Sequence, residues 1–361
     1  MNYLHFVSIF NLKWFTIFLF ALVINQIGYA QAIREYDLEM QAKHAERKGY
    51  DPSYRVNYFE NIIIRSTFSA NQYNLQYING EDGNTVDLRP AAENLLGVSV
   101  DYKWVALGVS FAPQFLISTE DEELLESSQT IKLNLNFFYA DRWRQELSYV
   151  YNKGFRVNSN FHLSEAQLNA IRNTEIEVIQ GKTFFIANKN YSFRAHYAQT
   201  ERQLKSAGSF IPKFSYAYSR TNPTGLDPNL NSEATSSIVS YDIIGSLGYL
   251  YTFVHNKKWL ATFGLHPGIG YNNARYEFFN TTDRRFESTS FTFKSEVTLG
   301  YNSYRWFFGV NAFWQNFNNT NNDNNELNRD SAFFLVYLGY RFNDNKPMRQ
   351  FFGWFEDTFG F

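Results

Sequence analysis

Long stretches of this chain alternate between apolar and polar residues. In residues 291–301 the apolar row is Phe291, Phe293, Val297, Leu299 and Tyr301, with Ser295 as its one exception. The residues between them are polar or small: Thr292, Lys294, Glu296, Thr298 and Gly300. Successive side chains of a strand point to opposite faces, so this pattern predicts a strand with one apolar face. The same alternation recurs over residues 131–139 and 238–253.

The predicted strands are long. The strand over residues 238–253 spans 16 residues, whereas strands of soluble proteins usually have about five or six residues. Tyr and Trp gather at strand ends, as at Tyr102, Trp143 and Trp259, where a bilayer interface would lie. We therefore predict an all-β chain that forms a transmembrane antiparallel up-and-down β-barrel. A soluble β-sandwich is the alternative.

Turn residues divide the chain into twelve predicted strands, joined alternately by short turns and long loops. Their ranges are 58–78, 94–103, 105–116, 129–140, 143–156, 174–187, 190–220, 237–254, 258–274, 289–302, 304–317 and 331–342. The segment 190–220 changes phase, and we assign the change to a bulge near Ser206–Gly208. If it holds two strands, fourteen strands is the alternative. The short turns and both termini are expected in the periplasm, and the long loops outside the cell.

The composition agrees with a barrel. The chain has 37 Phe, 25 Tyr and 7 Trp among 361 residues, and no Cys. Its mean hydropathy of −0.39 argues against a bundle of apolar helices but not against strands of which only alternate residues meet lipid. The net charge of −2 gives no reason to expect a nucleic-acid partner. The lack of Cys excludes disulfides, thiolate chemistry and a lipid-anchored amino terminus.

The first 32 residues resemble an export signal. Lys13 precedes an apolar run from Trp14 to Ile24, and small residues follow at Ala30 and Ala32. A run of this length suits a signal peptide and is short for a membrane-spanning helix, which needs about 20 residues. We expect cleavage and export to the outer membrane of a Gram-negative bacterium. An uncleaved anchor is the alternative.

Segments on either side of the barrel are assigned accessory roles. Residues 33–55 are predicted to form a helix-containing periplasmic lead-in, and Ser164 begins a capping box for a short helix in a loop. The strands are predicted to end at Phe342, followed by an aromatic periplasmic tail over 343–361. That tail either lies at the membrane boundary or packs against the barrel base. The expected partners are outer-membrane lipid and lipopolysaccharide, and the barrel-assembly machinery during biogenesis.

The sequence contains no recognisable catalytic motif. It lacks His-Glu-x-x-His, Gly-x-Ser-x-Gly and a phosphate-binding loop, and its five histidines beyond residue 32 have no metal-ligand spacing. Ser192 and His196 would lie about 13 Å apart on one strand, so a hydrolase would need a serine from a neighbouring strand. We therefore predict no enzyme activity and no cofactor or metal.

The inward face of the predicted barrel carries charges of both signs. The predicted lumen residues are Asp101, Lys132, Arg144, Glu146, Arg194, His196, Asp242, Lys294 and Glu296. A barrel of this size is intermediate between filled eight-stranded barrels and open porins. These side chains would either close the lumen with ion pairs or line a narrow pore.

Several short stretches resemble an uncharacterised outer-membrane barrel family, domain of unknown function 4421. They are Leu88-Arg89-Pro90, Leu96-Gly97-Val98, Tyr102-Lys103-Trp104, Arg202-Gln203, Ser206-Ala207-Gly208-Ser209-Phe210, Gly248-Tyr249, Tyr251-Thr252-Phe253 and Gly339-Tyr340-Arg341-Phe342. The resemblance covers about residues 56 to 342. It implies a barrel in the envelope and carries no activity or binding residues to transfer.

Three kinds of function fit this chain. The first is a narrow or gated channel for small solutes, or a component of an envelope transport pathway. The second is a structural or surface-interaction barrel without transport. The third is an outer-membrane hydrolase, which the absence of motifs disfavours.

Overall fold

A computed structural model describes residues 38–359, except for 79–82, 118–121, 140, 161, 163, 223–234, 279–281 and 321–325. Over these residues, twelve antiparallel strands form a closed barrel. Each strand pairs with its neighbour in the chain, apart from one two-stranded extension. The first barrel strand, β2 (Asn61–Ile78), pairs with the last, β16 (Glu326–Asn343), from Asn61 opposite Asn343 to Ile78 opposite Glu326. The predicted barrel and its number of strands are confirmed. The predicted signal peptide, residues 1–32, lies outside the described residues.

The other barrel strands follow the predicted alternation of short and long connections, except that residues 186–206 form a long connection at the end with the short turns. They are β4 (Asn94–Tyr102), β5 (Val105–Phe111), β6 (Gln129–Tyr139), β7 (Trp143–Lys153), β9 (Glu175–Phe185), β11 (Ala207–Asn222), β12 (Thr235–His255), β13 (Trp259–Phe278), β14 (Arg284–Asn302) and β15 (Trp306–Thr320). We call the end with the short connections the turn end and the opposite end the loop end. At the turn end, Lys103, Asp141, Asn256 and Lys257 adopt left-handed backbone angles that let the chain reverse tightly.

The outer surface of the barrel is apolar. Outward side chains such as Phe291, at 73% exposure, and Leu107, at 60%, form an exposed apolar surface. Aromatic pairs lie near the turn end, where Trp259 contacts Tyr301 at 4.9 Å and Trp306 contacts Tyr340 at 4.6 Å between ring centroids. The inward rows are mostly polar or small, as the alternation predicted, but Phe138, Phe184, Ile211 and Leu250 form an apolar inner patch near the turn end. One face therefore suits lipid and the other suits a polar interior.

The prediction of one strand over residues 190–220 is wrong. Only Ala207–Asn222 is a wall strand, and the residues before it form a short helix, α4 (Phe193–Tyr197), and a short strand, β10 (Glu201–Gln203). The change of phase therefore marks a segment that leaves the wall, not a bulge. Ser192 caps α4 by accepting a hydrogen bond from the Ala195 amide at 2.9 Å, which stabilises a helix where we expected a strand.

This segment joins the amino-terminal residues to close the turn end. Helix α1 (Leu38–Lys48) leads into strand β1 (Arg55–Asn57), which pairs antiparallel with β10. The Tyr58 amide donates to the Thr200 carbonyl at 2.9 Å, and the Leu204 amide donates to the Tyr54 carbonyl at 2.6 Å. We call residues 38–60 and 186–206 together the plug. Residues 38–55 of the expected lead-in are therefore docked against the barrel.

The loop end carries its own ordered structure. Strands β3 (Thr85–Pro90) and β8 (Phe155–Ser159) pair with each other, and β3 extends the sheet beyond β2. Helices α2 (Glu122–Ser127) and α3 (Glu165–Arg172) lie in two of the connections. An apolar cluster within this region contains Ala91, Ala92, Ile117 and Leu124.

The chain ends in helix α5 (Lys346–Phe359), which packs under the turn end. Phe352 contacts Tyr102 at 4.8 Å, and Phe355 stacks on Trp104 at 5.0 Å. Phe351 and Trp354 are each 59% exposed on the helix. Among the described helices, none combines the length and the apolar character needed to cross a bilayer.

Candidate functional site

The plug contacts the wall through one apolar cluster. Wall residues Phe138, Phe184, Ile211 and Leu250 pack against Tyr191 and Phe193 of the plug, and all of these side chains are buried. The Phe184 and Phe193 rings lie 5.4 Å apart. This contact places α4 within the barrel, against the inner face of the wall.

A buried ionic network holds the two parts of the plug together. Glu201, which has no exposed surface, pairs with Arg55 at 3.1 Å, and Arg55 also pairs with Asp141 at 2.6 Å. Glu201 accepts hydrogen bonds from Ser192 Oγ at 2.6 Å and Asn57 Nδ2 at 3.2 Å. Because each buried charge has partners, the network is sensitive to removal of any one of them.

Burial perturbs two titrating groups at this network. Burial of the His44 ring, together with the nearby Arg47, lowers its pKa to about 4. His44 Nε2 lies 3.2 Å from Asn57 Nδ2, and its ring stacks on Phe59 at 4.9 Å. Burial of the Asp141 carboxyl opposes its ionisation, but Arg55 and Arg194 outweigh that effect and lower its pKa.

Polar bonds also run from the wall to the plug backbone. Arg341 donates to the Gln199 carbonyl from Nη2 at 2.5 Å and from Nε at 3.1 Å. Arg65 Nη1 donates to the Tyr197 carbonyl at 2.6 Å, and Asn302 Nδ2 donates to the Glu201 carbonyl at 3.1 Å. These hydrogen bonds hold residues 197–201, which are not part of the barrel sheet.

Glu296 connects the lumen wall to the plug. Tyr197 OH lies 2.7 and 2.8 Å from its two carboxylate oxygens, and Lys294 Nζ lies 2.6 Å from Oε2. His266 Nε2 is 3.1 Å from Oε1 and His196 Nε2 is 3.8 Å from it. A Cβ at Gly248 would lie 1.9 Å from His266 Nδ1, so only glycine leaves room for this ring. Glu296 thus joins wall and plug in a single cluster.

A second charged group surrounds Glu146. It pairs with Arg144 at 3.1 Å and with Lys182 at 3.3 Å. The Arg144 guanidinium also lies 4.9 Å from the Tyr197 ring and 5.4 Å from the Phe193 ring, so it packs against the plug. Lys132 lies within electrostatic range of Lys182 and Glu146.

The predicted lumen residues occupy five places. Arg144, Glu146 and Lys132 form one group and Lys294, Glu296 and His196 form another, with His196 on the plug instead of a wall strand. Arg194 is also on the plug, where Nη1 donates to the Lys103 carbonyl at 3.0 Å. Asp101 is buried on β4 beside Ser99, and Asp242 accepts from Asn272 at 2.8 Å on β12.

Sequence reasoning missed several residues of this site. Lys213, Lys182, Arg65 and Arg341 alternate with outward apolar residues, so strand parity alone could have identified them. Arg55, Asp141 and Glu201 had no such indication, because Arg55 and Glu201 are 146 positions apart. Ser192, considered as a nucleophile, instead donates to Glu201.

The chain matches the family described as "Domain of unknown function (DUF4421)" over residues 49–342. It belongs to this family. The family description names no activity, so the site has to be interpreted from its own geometry. A search of curated proteins finds no match to the chain.

Solved structures with a similar fold include three outer-membrane or translocator proteins. The outer membrane protease OmpT of Escherichia coli is 7% identical, with 80% of this chain and 98% of that chain covered and a TM-score of 0.35. An outer membrane channel of Pseudomonas putida F1 is 10% identical, with 80% and 98% covered and a TM-score of 0.32. The translocator domain of the autotransporter NalP of Neisseria meningitidis is 11% identical, with 84% and 95% covered and a TM-score of 0.37.

Proposed function

We propose that this chain is an outer-membrane channel for small solutes, closed at its periplasmic mouth by the plug. Its apolar outer surface supports a position in the membrane. The short turns support assignment of the turn end to the periplasm, because such barrels have short periplasmic turns and long external loops. Passage of a solute then requires the plug to move.

The observation that carries this proposal is that the wall can close without the plug. Asn188 and Ser209 flank the inserted segment, and the Asn188 amide donates to Ser209 Oγ at 2.9 Å. The Ala187 amide donates to the Phe210 carbonyl at 3.1 Å, so β9 and β11 are already adjacent there. A short turn at this point would resemble the other turn-end connections. The segment 190–206 therefore adds closure that the wall itself does not need.

The contacts of the plug suit a part that can be released. An ion pair between Arg55 and Asp141 and the bond from Tyr197 to Glu296 join the plug to the wall. Its other ties, through Arg341, Arg65 and Asn302, include hydrogen bonds to backbone carbonyls. Water can replace such bonds when the segment moves, because water satisfies the same donors and acceptors. The proposed role is passage and not hydrolysis, since the Ser192 hydroxyl is bonded to Glu201.

Excision of the segment tests the proposal. Residues 190–206 are replaced by Asn-Gly, which favours a two-residue hairpin turn, and the barrel is reconstituted in planar lipid bilayers. The excised barrel should conduct KCl in discrete steps, whereas the intact protein should remain mostly closed. Heat-modifiable migration on gels shows that both are folded.

A matched variant replaces Lys257-Lys258 by Gln-Gln, which alters an exposed turn at the same end without touching the plug. It should stay as closed as the intact protein. A folded excised barrel that conducts no better than this control would refute the channel proposal and favour a structural role.

A further inference from the structure

Four inward lysines lie on the loop side of the plug. They are Lys132 on β6, Lys182 on β9, Lys213 on β11 and Lys294 on β14, and we call them the lumen lysines. On three of these strands the lysine is further from the turn end than the residue that packs on the plug. The pairs are Lys132 and Phe138 on β6, Lys182 and Phe184 on β9, and Lys213 and Ile211 on β11. A solute that entered from the loop end would meet these lysines before it met the plug.

We propose that the lumen lysines form a binding site for a small anion that carries two or more negative charges. This inference rests on the proposed channel function and names the class of solute. Two carboxylates, those of Glu146 and Glu296, lie beside the lumen lysines, and they do not balance the charge of four amino groups. Glu146 and Glu296 pair with Lys182 and Lys294, and each is also engaged by other groups, Arg144 and Tyr197 respectively.

Lys132 and Lys213 are the unpaired members of the lumen lysines. Within the described residues, neither amino group has an ion pair or a hydrogen bond. Both side chains are half-buried. The charged groups that act most strongly on Lys213 are Lys294 and Lys182, ahead of Glu296 and Glu146. Lys182 likewise acts on Lys132 ahead of Glu146. Repulsion therefore dominates at both lysines, and a multivalent anion would relieve it.

The same geometry couples the anion to the plug. Lys294 Nζ is bound to Glu296 Oε2 at 2.6 Å, and Glu296 holds Tyr197 through both oxygens. An anion bound to Lys294 competes with Glu296 for that amino group. Glu296 then loses the cation that balances its buried charge, which destabilises the ionised carboxylate in this position and with it the cluster that joins wall and plug. Arrival of the solute is in this way linked to release of the plug.

A binding experiment on the intact barrel tests the site without any need for conductance. Sodium triphosphate is titrated calorimetrically into the protein in a neutral, lipid-free detergent, which leaves lipid phosphates out. Lys132→Gln with Lys213→Gln is compared with Lys257→Gln with Lys258→Gln, a control that removes the same charge from an exposed turn. The control should bind as the unmodified protein does. The lumen variant should bind about tenfold more weakly or worse, because two charged hydrogen-bond donors are lost.

The second measurement uses the excised barrel, which lacks residues 190–206. In a KCl gradient its reversal potential should indicate preference for chloride, and triphosphate added at the loop end should block the current. Both effects should fall in the lumen variant and persist in the turn control. Equal triphosphate binding and equal block in the two double variants would overturn the anion site. If the excised barrel conducts but the lumen variant and the turn control behave alike, only the anion site is refuted. If the barrel binds triphosphate but never conducts, only the channel function is refuted.

Discussion

Individual side chains decide whether the plug is docked. Glu201 and Arg55 are both buried, and each would be left without its main counter-charge if the plug separated into its two parts. Such pairs add little stability compared with apolar packing, but the loss of one partner costs about 3–5 kcal/mol. The network therefore favours one arrangement of the plug, and it responds strongly to a change in charge.

His44 provides a prediction of pH dependence at this scale. Its pKa in the folded protein is about 4, below the ordinary value of 6.5, so the folded state binds fewer protons than the unfolded state between these values. Docking of residues 38–60 should be complete above pH 6.5 and should weaken as the pH falls towards 4. The charged groups acting on His44 are Arg47, Asp141, Lys48 and Arg194. Hydrogen exchange of residues 38–60 is measured at pH 7 and at pH 4.5, and each rate is compared with the intrinsic rate at that pH. The protection factors should be lower at pH 4.5.

His44→Gln is the matched variant, since glutamine keeps a hydrogen-bonding group near Asn57 and does not titrate in this range. Its protection factors should differ less between the two pH values. If the native protein has equal protection factors at both, protonation of His44 does not control docking.

At the scale of elements, the last strand and the last helix have separate roles. Strand β16 pairs on both sides, with β15 and with β2, so it closes the barrel. Helix α5 contacts the barrel base through Phe352 and Phe355 and leaves Phe351 and Trp354 exposed. The two expectations for the aromatic tail are thus compatible: one face packs on the barrel, and we expect the exposed face to meet the inner edge of the membrane.

Truncation after Asn345 should therefore still give an assembled barrel. The variant keeps the whole of β16 and Asp344, which accepts a hydrogen bond from Tyr102 OH at 2.8 Å. We expect a modest fall in melting temperature, because the aromatic contacts of α5 with Tyr102 and Trp104 are lost. Heat-modifiable migration on gels and protease resistance of membranes measure assembly.

Tyr340→Asp combined with Phe342→Asp is the contrasting variant, since it places two charges on the outward row of the closing strand. It should fail to assemble, because we expect this strand to direct assembly and the variant replaces two outward aromatic residues by charges on the face that meets lipid. Assembly of this variant together with degradation of the truncated chain would show that the carboxyl-terminal helix directs assembly.

At the scale of the whole molecule, closure depends on the register between the first and last barrel strands. Ser66 is opposite Leu338, and Phe68 is opposite Val336, so a shift by one residue would turn the outward row inward. The fixed register places Arg65 and Arg341 on the lumen side, where both reach the plug. Barrel closure and plug docking are therefore linked through these two arginines.

This register can be tested by cross-linking. The natural chain has no cysteine, so an engineered pair has no competitor. Ser66→Cys with Leu338→Cys should form a disulfide under mild oxidation, which is detected as a shift in mobility of the unfolded chain. Ser66→Cys with Val336→Cys is the control, because diagonal neighbours stand about 7–8 Å apart and should cross-link poorly. Preferential cross-linking of the control pair would mean that the strands are shifted.

The sequence by itself determined the wall of this protein. A strand exposes alternate residues to two different environments, so the alternation at Phe291–Tyr301 already encodes which side chains face out and which face in. The wall also depends on contacts between neighbouring strands, which chain order predicts for an up-and-down barrel. The inward positions of Lys132, Glu146, Asp242 and Glu296 follow from the same rule.

Only the tertiary structure decided the plug and the grouping of charges. Residues 190–206 have aromatic and polar residues that fit a strand locally, and their helix and short strand depend on contacts with Arg55, Glu296 and Arg341, each far away in the chain. Such contacts leave no periodic pattern in the sequence. The proximity of Lys213 to Lys182 and Lys294 likewise depends on how the barrel curves round its interior, because parity gives the face of a residue but not its neighbours across the lumen.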